Sequence, residues 1–315
     1  MKGAPYEQLW IHRFMLKDIV RGETYQNAID AVVTPDSVVL DMGAGSGILS
    51  FMAARAGARK VYAVERTSIA RVTLELARLN GLQDRIQVIQ DDVRNIVLPE
   101  KVDVLLSEWL GPIGVDENLL HPLLTARDRW LKPEGKILPE NVTAWMAPIY
   151  DPILDSEMFF WTSRPYGFDL TPIARHSVNE IRYGQQHIQP EHLLAEFKLM
   201  WTTDIVSYPA EDAIHPFRTS LSFICKSEGT FNSLGLWFDA QFPNGGKLIC
   251  GPGAPRNHWG TTVCPLDRIV QVNPGTEIKV DFACELDDEP GRTFSNWSVC
   301  IDGHQEKHNT RDSIT

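Results

Sequence analysis

No stretch of this 315-residue chain approaches the length of apolar run, ~20 residues, that a membrane helix needs. The first residues, Met1-Lys2-Gly3-Ala4-Pro5, lead straight into polar sequence, without the charged and then apolar pattern of a secretory leader. A cytoplasmic protein with no membrane partner is the expectation. Cysteine is scarce: Cys225, Cys250, Cys264, Cys284 and Cys300 are odd in number, widely spaced and confined to the C-terminal third. They match neither a disulfide framework nor a zinc cluster, so reduced, buried thiols and no bound metal are expected. Without a leader, the sequons at Asn141 and Asn296 carry no weight. Basic charge is in deficit, with 30 Lys and Arg against 41 Asp and Glu and a net charge of -11. That argues against direct nucleic-acid binding, which relies on clustered Lys and Arg, and it suits a cationic partner better. Internal repeats and low-complexity segments are absent.

With 43% hydrophobic residues, the chain can bury a substantial core. Its first half alternates strand and helix signals. Val38 to Asp41, Lys60 to Glu65, Ile86 to Ile89 and Val102 to Leu106 read as strands. Ile48 to Ala56 reads as a helix, and so does the stretch carrying Ile69, Val72, Leu76 and Leu79 on one face. This order predicts a doubly wound α/β fold with its ligand at the carboxyl ends of the strands. Beyond about Pro148, short β-rich runs take over, including Ser220 to Cys225, Leu234 to Phe242 and Glu277 to Cys284, which predicts a second, β-barrel-like domain. The expected division is 1–148 and 149–315, with an aromatic- and turn-rich excursion at about 159–189 that is either an oligomer contact or an ordinary surface insertion.

The first strand runs into Asp41-Met42-Gly43-Ala44-Gly45-Ser46-Gly47. Glycines there let the backbone pass close under a ligand at a helix N-terminus. The G-x-G-x-G spacing, with Asp41 ahead of it, suits a cofactor bearing an ammonium group better than a pyrophosphate, and points to S-adenosylmethionine. Glu65 ends the second strand, where a carboxylate accepts bonds from ribose hydroxyls. After the third strand, Asp91 or Asp92, with Val93 beside it, is either an adenine contact or a solvated turn.

The fourth strand ends in Ser107-Glu108-Trp109-Leu110-Gly111, and Glu117 follows nine residues after Glu108. A guanidinium is planar, always charged and matched by carboxylates, so two glutamates on a loop at the active edge of the sheet form a plausible arginine clamp. Spacing alone leaves an equal alternative: a strand-end acid and a second acid in the first turn of a helix, which the helix dipole favours anyway.

These residues resemble the double-glutamate loop of the protein arginine methyltransferase family, and the resemblance covers nearly the whole chain. His12, Met15, Leu16, Asp18, Val20 and Arg21 fall on the family's H-x-x-M-L-x-D-x-V-R pattern. It implies His12 and Arg21 at the cofactor's carboxylate end and Met15 in the wall beside the acceptor nitrogen. Asn257-His258-Trp259 resembles the family's T-H-W loop, which implies His258 paired with Asp18 near the acceptor. Tyr6, Trp109 and Trp259 join Glu108, Glu117 and His258 as substrate-contacting residues. The Tyr166-Gly167-Phe168-Asp169 segment resembles the start of a dimerisation arm, which implies a homodimer.

Departures from the family pattern fall on the same loops. The paired Tyr-Phe of the extreme N-terminus is missing, and Tyr6 alone matches that motif. Pro112 stands where the family has Tyr, Gly114 lies mid-loop, and Asn118-Leu119 replaces Ser-Met, so the acceptor pocket is expected to be reshaped. Arg94 replaces a glutamate. Three functions follow: mono- and asymmetric dimethylation of protein arginine, methylation of free arginine or a small guanidino compound, or an inactive partner of an active relative.

Overall fold

The structure is a computed structural model and describes residues 6, 8–214, 217–287 and 292–313. Two helices lead in. α1 (Leu9–Leu16) and α2 (Ile19–Val32) meet at Asp18, whose carboxylate accepts the Arg21 amide and caps α2. β1 (Val38–Met42) is buried at every position, as a central parallel strand covered on both faces must be. α3 (Ile48–Arg55), β2 (Lys60–Val64), α4 (Ala70–Leu79), β3 (Ile86–Ile89), β4 (Val102–Ser107), α5 (Leu120–Trp130) and β5 (Leu131–Leu138) follow. The strands pair in parallel in the order β3-β2-β1-β4-β5. The order therefore reverses at β1, with β2 on one side and β4 on the other. That reversal opens a crevice at the carboxyl ends of β1 and β4.

The chain leaves this sheet at Leu138 and enters an antiparallel one with β6 (Asn141–Ile149). The excursion that follows comprises α6 (Pro152–Thr162) and α7 (Thr171–Ser177), which pack on each other. It is shorter at its far end than the sequence suggests, because β7 (Arg182–Gln185) is already back in a sheet. Buried Asp151 anchors its base: it caps α6 and takes Arg182 at 2.9 Å and His187 at 2.7 Å. The remaining strands are β8 (Lys198–Asp204), β9 (Arg218–Ile224), β10 (Gly229–Gln241), β11 (Lys247–Ile249), β12 (Thr261–Val272), β13 (Glu277–Leu286), β14 (Thr293–Ile301) and β15 (His304–Asn309). They form one sheet in the order β7-β12-β10-β6-β8, with β11 on β10, and another in the order β15-β14-β13-β9. Along β13, buried and exposed residues alternate, the period of a strand with one wet face. Phe223, Phe231, Phe282 and Trp297 fill the barrel-like interior. Four of the five cysteines are buried, and all are free thiols.

The α/β core does not stop at the parallel sheet. It continues through Phe238 of β10 and Phe242 just after it to Trp259, and Tyr25 of α2 meets Phe242 edge-on at 5.0 Å. This shared core fixes the loop before β12 against the crevice. Among the described residues, no helix is long and apolar enough to cross a membrane.

Candidate active site

The glycine loop is built by backbone conformations that side chains resist. Gly43, Gly45 and Gly47 have φ of 73°, 54° and 86°, and Gly47 is the N-cap of α3. The amides of Gly43 and Ala44 donate to the Val64 carbonyl, which ties the loop to the end of β2. Glu65 binds the same loop: its carboxylate accepts the amides of Gly45 at 2.9 Å and Thr67 at 2.7 Å. Asp41 lies beneath, 1% exposed. One of its oxygens accepts the Ser50 hydroxyl at 2.6 Å, and the other is buried with no partner among the described residues. Burial pushes its carboxyl up to about 7. A buried carboxylate with an open acceptor fits a cofactor that brings a cationic amino group.

α1 lies against this loop. The His12 ring approaches Gly45 so closely that a Cβ there would sit 3.2 Å from its Cε1, and its Nε2 bonds the Tyr6 carbonyl at 2.9 Å. Met15 is half-buried on the same helix. Asp92 is engaged elsewhere: Arg94 grips it through Nε at 2.8 Å and Nη2 at 2.6 Å, and that bond holds its carboxyl down at about 2. Val93 behind it is buried.

The two glutamates of the loop after β4 are both largely shielded from water. Glu108, just past β4, accepts Arg21 Nε at 3.2 Å and Nη2 at 2.9 Å on one oxygen and the Leu110 amide on the other. Arg21 is therefore directed at Glu108 in this structure, with its guanidinium 5.9 Å from the centre of the Tyr25 ring. Glu117 accepts the Tyr6 hydroxyl. Burial, with Glu108 and Asp116 adding repulsion, pushes the Glu117 carboxyl up to about 8, against the pull of Tyr6 and Arg66. The loop between the glutamates folds back on itself: Gly114 N donates to Gly111 O at 2.8 Å, and a Cβ on Gly111 would fall 2.3 Å from Asp116 Oδ1.

Asp18 and His258 are 240 residues apart in the chain and meet here. Asp18 Oδ2 takes the His258 amide at 2.8 Å and its Nδ1 at 2.6 Å. Burial opposes ionisation of Asp18, but His258 and the Arg21 amide outweigh it and hold the carboxyl below its usual range. The ring of His258 lies between Phe14, edge-on at 5.7 Å, and Trp259 at 3.7 Å.

Two residues read from sequence as substrate contacts have other surroundings. Trp109 is 1% exposed and packed in the α/β core, and Trp259 is 3% exposed with its Nε1 donating to Leu110 O at 2.9 Å. Trp259 thereby ties the glutamate loop to the segment before β12, and the Trp109 Nε1 has no partner among the described residues. Residues that the sequence did not single out also build the site: Ser50 under Asp41, Thr67 on Glu65, Tyr25 donating to Ser107 O at 3.2 Å, and Asp116. Only Asp116 carried any signal, as a second acid beside Glu117, and no periodicity marked it as buried.

Comparison with known proteins gives a consistent result over the whole chain. The family model for the arginine methyltransferase oligomerization subdomain matches residues 140–296, and that for ribosomal protein L11 methyltransferase matches residues 25–138. The chain is 34% identical to protein arginine N-methyltransferase 6 of Danio rerio, across 98% of this chain and 91% of that protein. It is 37% identical to histone-arginine methyltransferase CARMER of Drosophila erecta, across 93% of this chain and 56% of that protein. Among solved structures, the Trypanosoma brucei PRMT1 enzyme-prozyme heterotetrameric complex with AdoHcy is similar at a TM-score of 0.85 and 28% identity, covering 97% of this chain and 99% of that one. Arabidopsis thaliana protein arginine methyltransferase 10 gives 0.82 and 27%, with the same coverage.

Proposed function

Because the chain belongs to the protein arginine methyltransferase family, we propose that it methylates guanidino nitrogens of arginine in polypeptides with S-adenosylmethionine, Glu108 and Glu117 holding the acceptor. The observation that carries this reading is that Glu108 already binds a guanidinium, that of Arg21, through two nitrogens. The pocket is therefore chemically fit for arginine. Glu117 supplies the second carboxylate, in surroundings where burial and its acidic neighbours give a bound cation a large electrostatic return.

When bound, S-adenosylmethionine supplies a methyl group on a positively charged sulfur. Gly43, Gly45, Asp41 and Glu65 would hold it, with His12 beside that loop, while Arg21 is held by Glu108. The two glutamates fix the plane of the acceptor and draw its charge toward the held nitrogens, which leaves the remaining nitrogen richer in electrons. Transfer to a guanidinium releases one proton. His258 keeps its Nδ1 on Asp18, so its Nε2 is the position that can receive that proton.

The relatives' names favour polypeptide arginine over free arginine, since they are protein and histone-arginine methyltransferases across nearly the full length of this chain. An inactive partner role is less well supported, because Glu108, Glu117, His258 and the glycine loop are all present. The α6–α7 excursion, with Phe159 69% and Tyr166 97% exposed, is suited to contact a second copy as a dimerisation arm. Incubation with labelled S-adenosylmethionine and either an Arg-Gly-rich peptide or free arginine tests the reading. Mass spectrometry should find mono- and asymmetric dimethylarginine in the peptide, and label confined to free arginine would refute polypeptide methylation.

A further inference from the structure

Between the two glutamates the loop carries a third carboxylate that the reaction does not call for. Asp116 lies in the loop's interior, and burial pushes its carboxyl up to about 6. Its Oδ1 accepts the Ile113 amide at 2.9 Å, closing the turn whose other tie is Gly114 N to Gly111 O. Gly111 has no room for a side chain because Asp116 fills that space: a Cβ there would lie 2.3 Å from Asp116 Oδ1 and 2.9 Å from Glu117 Cγ. The Asp116 carbonyl accepts the Thr293 hydroxyl of β14, so the same residue fastens the loop to the barrel-like sheets.

A carboxylate half-withdrawn from water is a costly way to close a turn on the Ile113 amide, since a neutral acceptor of the same shape would serve without the desolvation of a charge. Its use here has a second consequence, because Asp116 adjoins Glu117. We propose that Asp116 is a positioning residue of the acceptor site: it locks the loop that presents Glu108 and Glu117, and its charge strengthens the hold of Glu117 on a cationic acceptor. The inference rests on the reading of the two glutamates as the acceptor clamp.

The charged and titratable groups around the pair come from every element packed against it. Tyr6 bonds Glu117 from the N-terminal segment, Arg66 acts on it from beyond β2, and Glu108 acts on it from the end of β4, itself neutralised by Arg21 of α2. Tyr183 of β7 and Cys284 of β13 feel Asp116, and burial with that charge raises both. Arg66 is the one cation in this set that acts on Glu117, so removal of the Asp116 charge shifts its balance directly.

The experiment compares wild type with Asp116→Asn, Thr293→Val and Glu117→Gln, reading kcat and acceptor KM for an Arg-Gly-rich peptide from pH 6 to 9, with cofactor affinity measured separately. Asp116→Asn keeps an oxygen for the Ile113 amide and removes only the charge. It should raise acceptor KM about tenfold at pH 8.5, leave kcat within about threefold, and move the acid limb of kcat/KM to lower pH. Thr293→Val loosens the loop but keeps the charge, so it should raise KM without moving that limb. Cofactor affinity should be unchanged in both. If Asp116→Asn has wild-type KM and pH profile while Glu117→Gln is inactive, the role assigned to Asp116 is wrong. If Glu117→Gln retains full activity, the clamp itself is wrong and the inference goes with it. Should Asp116→Asn fail to fold, Thr293→Val decides the loop-locking part alone, and a wild-type KM there overturns it.

Discussion

Arg21 and Glu108, from α2 and the end of β4, form a nearly dry ion pair in which Nε and Nη2 share a single carboxylate oxygen, the two side chains 8% and 9% exposed. An arginine of the protein itself thus occupies one of the two carboxylates proposed to hold the acceptor. Removing one partner leaves the other as a buried, unpaired charge, which costs ~3–5 kcal/mol. Arg21→Ala should therefore lower stability by that order in urea melts, more than Glu108→Gln, which leaves a neutral amide able to bond Arg21. For turnover the order should invert, with Glu108→Gln costing about 100-fold or more in kcat. Equal losses of stability in the two variants would contradict this account.

The Asp18–His258 contact joins the N-terminal helices to the loop before β12. Its carboxyl lies below the usual 3.8, so the stabilisation is fully present above that value and is lost as pH falls through the lower, folded one. Asp18 also caps α2, which separates two variants. Asp18→Asn keeps the cap and should lose only the charged bond to His258, whereas Asp18→Ala should cost ~1 kcal/mol more. Thermal melts at pH 7 and pH 3.5 check both parts. The gap between wild type and Asp18→Asn should be narrower at the lower pH.

Glu117 shows the opposite sign. Its carboxyl is raised from 4.5 to about 8, first by burial and then by Glu108 and Asp116, so the folded protein retains a proton between those values that the unfolded chain has released. This group's contribution to stability accordingly falls as pH rises across that window. A bound guanidinium favours the ionised form, so acceptor binding near pH 7 should expel close to one proton. Calorimetry of an Arg-Gly-rich peptide in two buffers of different ionisation enthalpy measures this. Absence of proton release in wild type, or its persistence in Glu117→Gln, would contradict the assignment.

Gly47 ends the glycine loop and begins α3, away from the glutamate pair. At φ 86°, an added Cβ would lie 2.6 Å from Thr73 Cγ2 and 2.8 Å from Phe51 Cζ. Gly47→Ala combines left-handed strain of ~1–3 kcal/mol with a clash against side chains of α3 and α4. It should weaken S-adenosylmethionine binding by about tenfold or more while acceptor KM at saturating cofactor changes little. A tight cofactor complex in this variant would show that the loop conformation matters less than its geometry suggests.

Local chemistry was legible in the order of residues. The buried run Val38–Met42, the glycines after it and the acids at successive strand ends define a doubly wound sheet and the side of it that binds a ligand, because parallel strands and tight turns leave strong periodic and compositional marks. The glutamate pair was legible as a candidate clamp, a reading that the family resemblance and not the spacing favoured. On spacing alone it was equally a strand end and a helix start. Apart from the Asp18–His258 pair, which the family resemblance implied, the sequence could not express which charges meet. Arg21 lies on Glu108, Tyr6 on Glu117 and Asp18 on His258 because a core shared by the two sheets brings segments up to 240 residues apart into contact. Trp109 and Trp259 stand in motifs that look exposed to substrate, yet packing turned both rings inward. Asp116 was legible only as a second acid beside Glu117, since its place inside the loop depends on the space left by Gly111 and on Thr293 far along the chain. The sequence by itself determined the fold class and the chemical types at the strand ends; only tertiary packing decided which of those charges are dry, which are paired, and therefore how strongly each can hold a cation.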